Sequence, residues 1–536
     1  MTGASRTARS LGITPPLSLD GPTDEERDLQ VQLDQALKAY RLRETDVELK
    51  HRETVLAKLR EVLQEYAVHE GCLKGMNEDA AMDKKVQLKT YGSYRLQVHS
   101  PEADIDTLCI APKHCTRASF FQKVPILLEA TPGVKQVLAV PDAYTPVINM
   151  KIDGIAVDLI FVSLPMESIP EDIDVLDDKH LRNLDESSVR SLNGVRVTER
   201  ILQLVPRQDR FRSTLMAVKY WARLRGIYSN KLGFLGGVNW AILVARICQL
   251  YPNALPATLL AKFFRIYHLW AWPNPILLDV ASNTPNMGFP VWNPMTNPRD
   301  RAHLMPIITP AYPAMNSSYS VTQATLQILK REFGKAASRS FEIETKKGKW
   351  GSLFAHPVFF QRWQHYLRVQ ITAKDVSDFS KWFGWVESRL RYLIQRLECV
   401  QHVRPHPFAR FYDVCDEKGE VASTWFFVAL SFHVPETTVA SSPSPAFQLD
   451  LTTAIRDFAS YVDQWDQRRG GMDLEIDHMQ RQQIPEWVVQ ATEGGSADGK
   501  TTGKTRKVEQ CYPDEDTPHS RSTTKRAKEG AKEVKR

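Results

Sequence analysis

From Val86 the helical spacing of the apolar residues gives way to short strand-like runs at 104–110 (DIDTLCI), 147–152 (VINMKI) and 155–162 (IAVDLIFV), separated by Pro and Gly turns. Helical spacing precedes them. Leu29, Leu33, Ala36, Leu37 and Tyr40 form one stripe, and Val55, Leu56, Leu59, Val62, Leu63 and Tyr66 a second, entered through a capping box of Thr23 and Glu26. Helices leading into clustered strands make this an α/β region.

Carboxylates interrupt two of those apolar runs. Residues two apart on a strand share a face, so Asp104 and Asp106 point one way while Ile105 and Thr107 point the other. Two like charges held side by side repel, and a hard divalent cation such as Mg²⁺ or Mn²⁺ offsets the repulsion. Asp158, between Val157 and Leu159 on a later strand, supplies a third acid, and a carboxylate in such a run needs a partner or a metal. Three carboxylates converging from two strands can hold two ions about 3.5–4 Å apart, the clamp used for in-line phosphoryl displacement. Ahead of them, Gly92 lets the backbone approach an anion closely, and Ser93 with nearby N–H groups can cradle a triphosphate. Asp-x-Asp alone is commonplace and reads as two solvated acids, and a Gly-Ser pair alone reads as a turn. A Gly-Ser some ten residues before Asp-x-Asp, with a third Asp on a later strand, is the pattern of the nucleotidyltransferase superfamily.

Helical spacing returns after Leu184 and adds nucleotide-binding candidates. Lys219 suits the β and γ phosphates, Tyr228 a phosphate or ribose oxygen, and Asn230 the edge of adenine; Gly233, Gly236 and Gly237 follow. Each also has a structural reading: a solvated helix residue, a half-buried packing residue, a close helix contact. Residues 273–313 then hold nine of the chain's 32 prolines, an irregular segment expected to wrap a surface. Beyond Lys349 come a strand at 365–372, a helix at 379–397, a strand at 424–434 and a helix at 449–465, a small domain of the split βαβ type. Its aromatics, Trp363, Tyr366, Trp382, Phe383, Trp385, Tyr392, Trp425, Phe426 and Phe427, are expected to be mostly core, and Lys381, Arg389, Arg391 and Arg396 either meet phosphates or form a solvated face.

A chain of 536 residues fits about two to four domains. Seven scattered cysteines without a CxxC pair argue for a reducing compartment and against structural zinc. No signal peptide or membrane span is evident, so a soluble intracellular protein is expected; the most apolar segment, 240–250, carries Arg246 and reads as a buried helix. Net charge is +6, yet residues 500–536 alone hold eleven Lys/Arg against six Asp/Glu, which leaves the folded part nearly neutral.

Longer runs resemble the eukaryotic nuclear poly(A) polymerases: 91–96 (YGSYRL), 104–108 (DIDTL), 190–194 (RSLNG), 227–230 (IYSN), 232–238 (LGFLGGV), 250–254 (LYPNA), 272–275 (WPNP), 290–294 (PVWNP) and 303–313 (HLMPIITPAYP). The close resemblance spans about two thirds of the chain and weakens through the third region. It implies a mobile N-terminus at 1–22, a nucleotidyltransferase-type mixed-sheet catalytic domain with leading helices at 23–205, a helical central domain at 206–350, a domain similar to an RNA-recognition motif at 351–493 and a disordered basic tail at 494–536.

By the same resemblance Asp104, Asp106 and Asp158 are the catalytic metal ligands, with Asp158 also favouring deprotonation of the primer 3′-OH. Tyr91, Gly92, Ser93, Ser100, Lys219, Tyr228, Gly237 and Val238 contact ATP, Asn230 faces adenine, and Tyr144, Asn149 and Lys151 lie toward RNA. The implied reaction is attack of an RNA 3′-OH on the α phosphate of ATP, with two Mg²⁺ or Mn²⁺ ions and no template. The implied setting is a nuclear monomer that meets pre-mRNA 3′-end processing factors, and Lys504–Lys507 with Lys525-Arg526 resemble a split nuclear-localisation signal. A terminal uridylyltransferase, a poly(A) polymerase for noncoding RNA and a non-catalytic RNA-binding scaffold are the alternatives. Three positions depart from the family: Gln97 replaces a usual Gly, Thr145 an apolar residue, and Asn149 a Lys, for which Lys151, on the same strand face, is a substitute.

Overall fold

In the computed structural model, which describes residues 11–280, 287–415, 421–432, 449–493 and 503–506, Thr23 and Glu26 close the expected capping box at the start of helix Asp24–Lys38. A second box, Thr45 with Glu48, opens helix Asp46–Leu73. The chain divides into two units: Met1–Tyr220 with Gly237–Tyr319 and Ala336–Leu353, and Trp221–Gly236 with Ser320–Lys335 and Phe354–Arg536.

The first unit is built on a sheet of β1 (Gln87–Thr90), β2 (Ile105–Ala111), β3 (Val134–Val140), β4 (Val147–Ile152) and β5 (Ile155–Ser163), in the order β1-β2-β5-β4-β3. Only β2 and β5 are parallel neighbours. Both faces of these central strands are covered, which is why their sequences are apolar without clean alternation. Ile105, Cys109, Leu159 and Phe161 pack with Leu59 and Leu63 of helix Asp46–Leu73 and Phe120 and Val124 of helix Arg117–Ala130. On the other face Leu108, Ile110, Ile160 and Val162 meet Val189, Leu192 and Val195 of helix Glu186–Leu204. Burying each such side chain stabilises by about 1.5–3 kcal/mol, so the strand register is strongly fixed.

Helices Gln208–Leu224, Gly237–Leu250 and Pro256–Leu269 follow. The described part of the stretch expected to be mobile, residues 11–22, makes hydrogen bonds to the helices that follow. Leu17 N–H donates to Leu250 O at 2.8 Å, Asn253 Nδ2 to Leu19 O at 2.7 Å, and buried Arg246 to Thr14 Oγ1. These bonds satisfy a helix-end carbonyl and a buried guanidinium. The described part of the proline-rich stretch is irregular apart from the short helix Pro298–Arg301, and it anchors by burying Ile276, Met305 and Ile307.

The second unit holds β6 (His365–Thr372), β7 (Val403–Cys415), β8 (Val421–Phe432), β9 (Asp473–Gln480) and β10 (Gly503–Arg506), all antiparallel, in the order β10-β7-β8-β6-β9. Without β10, this is the strand order of a split βαβ fold. The helix expected at 379–397 is two helices, Val376–Glu387 and Leu390–Glu398; Ser388 and Arg389 side chains both donate to the Trp385 carbonyl at the break. Tyr366, Trp382, Phe383, Phe426 and Phe427 are buried, as core residues should be. Of the tail expected to be disordered, Gly503–Arg506 pairs with Phe411–Val414 of β7, whose edge offers free backbone groups; residues 494–502 and 507–536 lie outside the described residues, and with them Lys507, Lys525 and Arg526.

Candidate active site

Parallel pairing of β2 with β5 sets Asp106 opposite Asp158, and Asp104 stands just before β2 on the face of Asp106. Thr107, facing the other way, donates its hydroxyl to Asp158 O at 2.8 Å and locks the two strands together. One carboxylate oxygen from each of Asp104, Asp106 and Asp158 lies within 4.8 Å of the others, and all three residues are half-buried. An all-oxygen, all-anionic set of this kind fits a hard divalent cation.

Tyr91 N–H donates to Asp106 O at 3.0 Å, and Gly92 then turns with φ +61°. A Cβ on Gly92 would sit 2.2 Å from Asp106 Oδ2, so glycine is required both by the backbone and by the carboxylate beside it. Gly92 N–H donates to Thr198 Oγ1 at 3.1 Å, and the Thr198 hydroxyl donates to Gly194 O at 2.8 Å. A Cβ on Gly194 would in turn meet the Tyr91 ring at 2.9 Å. Burial, then the charges of Asp106, Asp158 and Asp104, hold the Tyr91 phenol well above its ordinary range. It therefore stays a protonated donor beside the acids.

Asn149 lies opposite Asp158 across β4 and β5 and donates its amide to Asp158 Oδ1 at 2.6 Å. Its side chain thus serves the carboxylate. Lys151 shares that face of β4 and lies opposite Ala156, two residues along from the Asn149–Asp158 pair. The register was available in the sequence: Asp153-Gly154 is a two-residue hairpin turn, and counting outward from it brings Asn149 to Asp158. Tyr144, on the loop before β4, is 80% exposed with the Arg190 guanidinium 4.3 Å from its ring centroid.

The loop between Ser93 and Asp104 is pinned by cations. Arg212 Nε donates to Leu96 O at 3.1 Å, Lys219 Nζ to Val98 O at 3.0 Å and Arg52 Nη2 to Pro101 O at 3.0 Å, which fixes the stretch carrying Ser100. Within it Gln97 adopts φ +58°, so the departure from glycine does not prevent the left-handed turn. The strain, about 1–2 kcal/mol, is held by these bonds. Arg52, Arg212 and Thr198 carry no sequence signal, because a side chain that meets a distant backbone carbonyl or amide leaves no local pattern. Gly237 and Val238 are exposed at the start of helix Gly237–Leu250. Tyr228 and Asn230 belong to the second unit, where Arg223 lies 4.9 Å from the Tyr228 ring centroid and Ser320 donates to Asn230 Oδ1.

A mixed sheet that presents three carboxylates on paired strands beside a Gly-Ser turn defines a nucleotidyltransferase-type catalytic domain. Family models match in sequence along the chain: the poly(A) polymerase nucleotidyltransferase domain at 12–205, the poly(A) polymerase central domain at 210–356 and the poly(A) polymerase predicted RNA binding domain at 358–415 and 410–497. The chain is 40% identical over 492 residues to nuclear poly(A) polymerase 1 of Arabidopsis thaliana, covering 91% of this chain and 68% of the relative. It is 40% identical over 511 residues to a poly(A) polymerase of Dictyostelium discoideum (94% and 62%) and 44% identical over 408 residues to poly(A) polymerase pla1 of Schizosaccharomyces pombe (76% and 72%). It spans 62–72% of the length of these three relatives. The chain belongs to the poly(A) polymerase family. Among solved structures, a cytoplasmic RNA terminal U-transferase is 14% identical with a TM-score of 0.42, covering 62% of this chain and 99% of the other, a likeness too loose to bear on nucleotide choice.

Proposed function

We propose that this chain is a template-independent polynucleotide adenylyltransferase that extends RNA 3′ ends from ATP in the nucleus, where its Arabidopsis relatives are named as acting. The Asp104, Asp106 and Asp158 cluster carries the proposal. In each cycle the primer 3′ oxygen bonds to the α phosphorus, the bond to the β-phosphate oxygen breaks, and pyrophosphate leaves. The three carboxylates would hold two Mg²⁺ or Mn²⁺ ions, which supply charge neutralisation at the α phosphate and a more acidic 3′-OH.

The chain's own groups do the positioning. Asp158, oriented by Asn149, faces the primer hydroxyl and favours loss of its proton. Tyr91 donates from its neutral phenol, while Gly92, Ser93 and Ser100 shape the turn that receives the triphosphate. Lys219 is within the same unit to neutralise the outer phosphates once it leaves the Val98 carbonyl, and Gly237 and Val238 offer an exposed helix start. Asn230 and Tyr228 have the amide and hydroxyl chemistry suited to adenosine. Tyr144 presents an exposed ring for an RNA base. Processing factors and a monomeric state complete the proposal.

Extension of an oligo(A) primer with each nucleotide separately tests it. ATP should be used at least about tenfold better than UTP, a difference of about 1.4 kcal/mol. Preferential UTP incorporation would replace this reading with a uridylyltransferase.

Asn149→Ala should weaken Mn²⁺ binding about 10–100-fold, the usual effect of losing the partner that orients a ligating carboxylate. Electron paramagnetic resonance of free Mn²⁺ reads this without turnover. Unchanged binding would reduce Asn149 to a packing residue.

A further inference from the structure

Among the described residues, the second unit gathers a group of cations around a single carboxylate, Glu332. Arg225 Nε donates to Glu332 Oε2 at 2.8 Å and Lys335 Nζ to Oε1 at 2.6 Å, while Arg331 Nε stops 3.8 Å from Oε1. One carboxylate therefore serves three cations. Arg362 adds a fourth, exposed and 5.0 Å from the Trp363 ring centroid, with Arg331 at 6.0 Å from the same ring. His406 gives no compensation. It is buried, bonded through Nδ1 to Arg331 Nη2 at 3.0 Å, and burial with the surrounding arginines and Lys335 holds it neutral.

Two buried donors here, Arg331 Nε and Trp363 Nε1, have no hydrogen-bond partner. Like charges gathered at a half-buried position with one counter-charge destabilise the fold until an anion joins them. The Arg331 and Lys335 side chains remain 32% and 35% exposed, so an anion can reach them. Guanidinium groups match phosphate oxygens in a fork.

We infer that Arg331, Lys335 and Arg362 form a binding site for a phosphodiester of the RNA strand, with Arg225 and Glu332 holding the cluster in shape. The inference rests on the RNA-extending activity proposed above. RNA is favoured over a phosphopeptide because Arg362, Trp363 and His406 all fall within the stretch matched to the predicted RNA binding domain.

The test uses the full chain and fluorescence anisotropy of labelled oligo(A) across a salt series, with circular dichroism melting as a check on folding. The doubly substituted Lys335→Gln/Arg362→Gln chain should bind about tenfold more weakly at low salt. Its slope of log K against log salt should flatten by about 0.7 for each phosphate that is no longer neutralised. Arg331→Lys, which keeps the charge and loses the fork, should weaken binding and leave the slope near that of the parent. An unchanged affinity and slope in the folded double variant overturns the site while the polymerase reading stands. Absence of oligo(A) binding by the parent chain overturns both. If inorganic phosphate stabilises the parent but not the double variant, and oligo(A) binding is the same in both, the site takes small anions and the RNA assignment is overturned.

Discussion

Asp106→Ala is expected to lower primer extension by about 10³-fold or more while leaving the chain folded. A bound divalent ion supplies several kcal/mol of charge stabilisation in the transition state, and each 1.36 kcal/mol is tenfold in rate. Asp106 is central to that effect because it lies opposite Asp158 and on the face of Asp104, so its loss opens the cluster at its middle. Stability should move the other way. Three carboxylates within 4.8 Å repel one another, and removing one relieves that repulsion, so in EDTA the variant should melt at the parent's temperature or a few degrees above it. Added Mn²⁺ should raise the melting point of the parent and not of the variant, since only a folded chain that binds the ion gains from it. Extension within tenfold of the parent would remove Asp106 from the mechanism, whereas no extension by the parent chain itself would favour a non-catalytic scaffold.

The acids were legible because two simple patterns place them: the alternation that leads into β2 for Asp104 and Asp106, and an apolar run that isolates Asp158 on β5. What the sequence did not disclose depends on pairing. β7 carries Pro405 and Pro407, which argue against a strand, yet β10 pairs only with Phe411–Val414, so both prolines sit on a stretch of edge that needs no donor there. β9 alternates only briefly, at Leu474 and Ile476, and its polar residues exceed its apolar ones, as suits the other edge of the same sheet. Asn149 reads as a lost positive charge toward RNA until its register is fixed; paired with Asp158 it is a neutral hydrogen-bond donor. Gln97 likewise reads as an obstacle to a turn that three cations in fact hold in place.

Gly92→Ala should cut the rate about 10²-fold although it adds one methyl group outside the carboxylate cluster. Two effects combine. The left-handed backbone costs any L-residue about 1–2 kcal/mol, and the new Cβ would fall 2.2 Å from Asp106 Oδ2, so the carboxylate or the turn must move by about 1 Å. A displacement of that size at a reacting centre is worth about 10²-fold. Gly154→Ala separates the effects. Gly154 also has a left-handed φ, +86°, in the β4–β5 hairpin turn, but a Cβ there meets nothing within 4 Å. Both variants should lose about 1–2 kcal/mol of stability in urea unfolding, and only Gly92→Ala should lose turnover and Mn²⁺ affinity. Equal activity in the two would mean that the turn yields without disturbing Asp106, and that the glycine is there for the backbone alone.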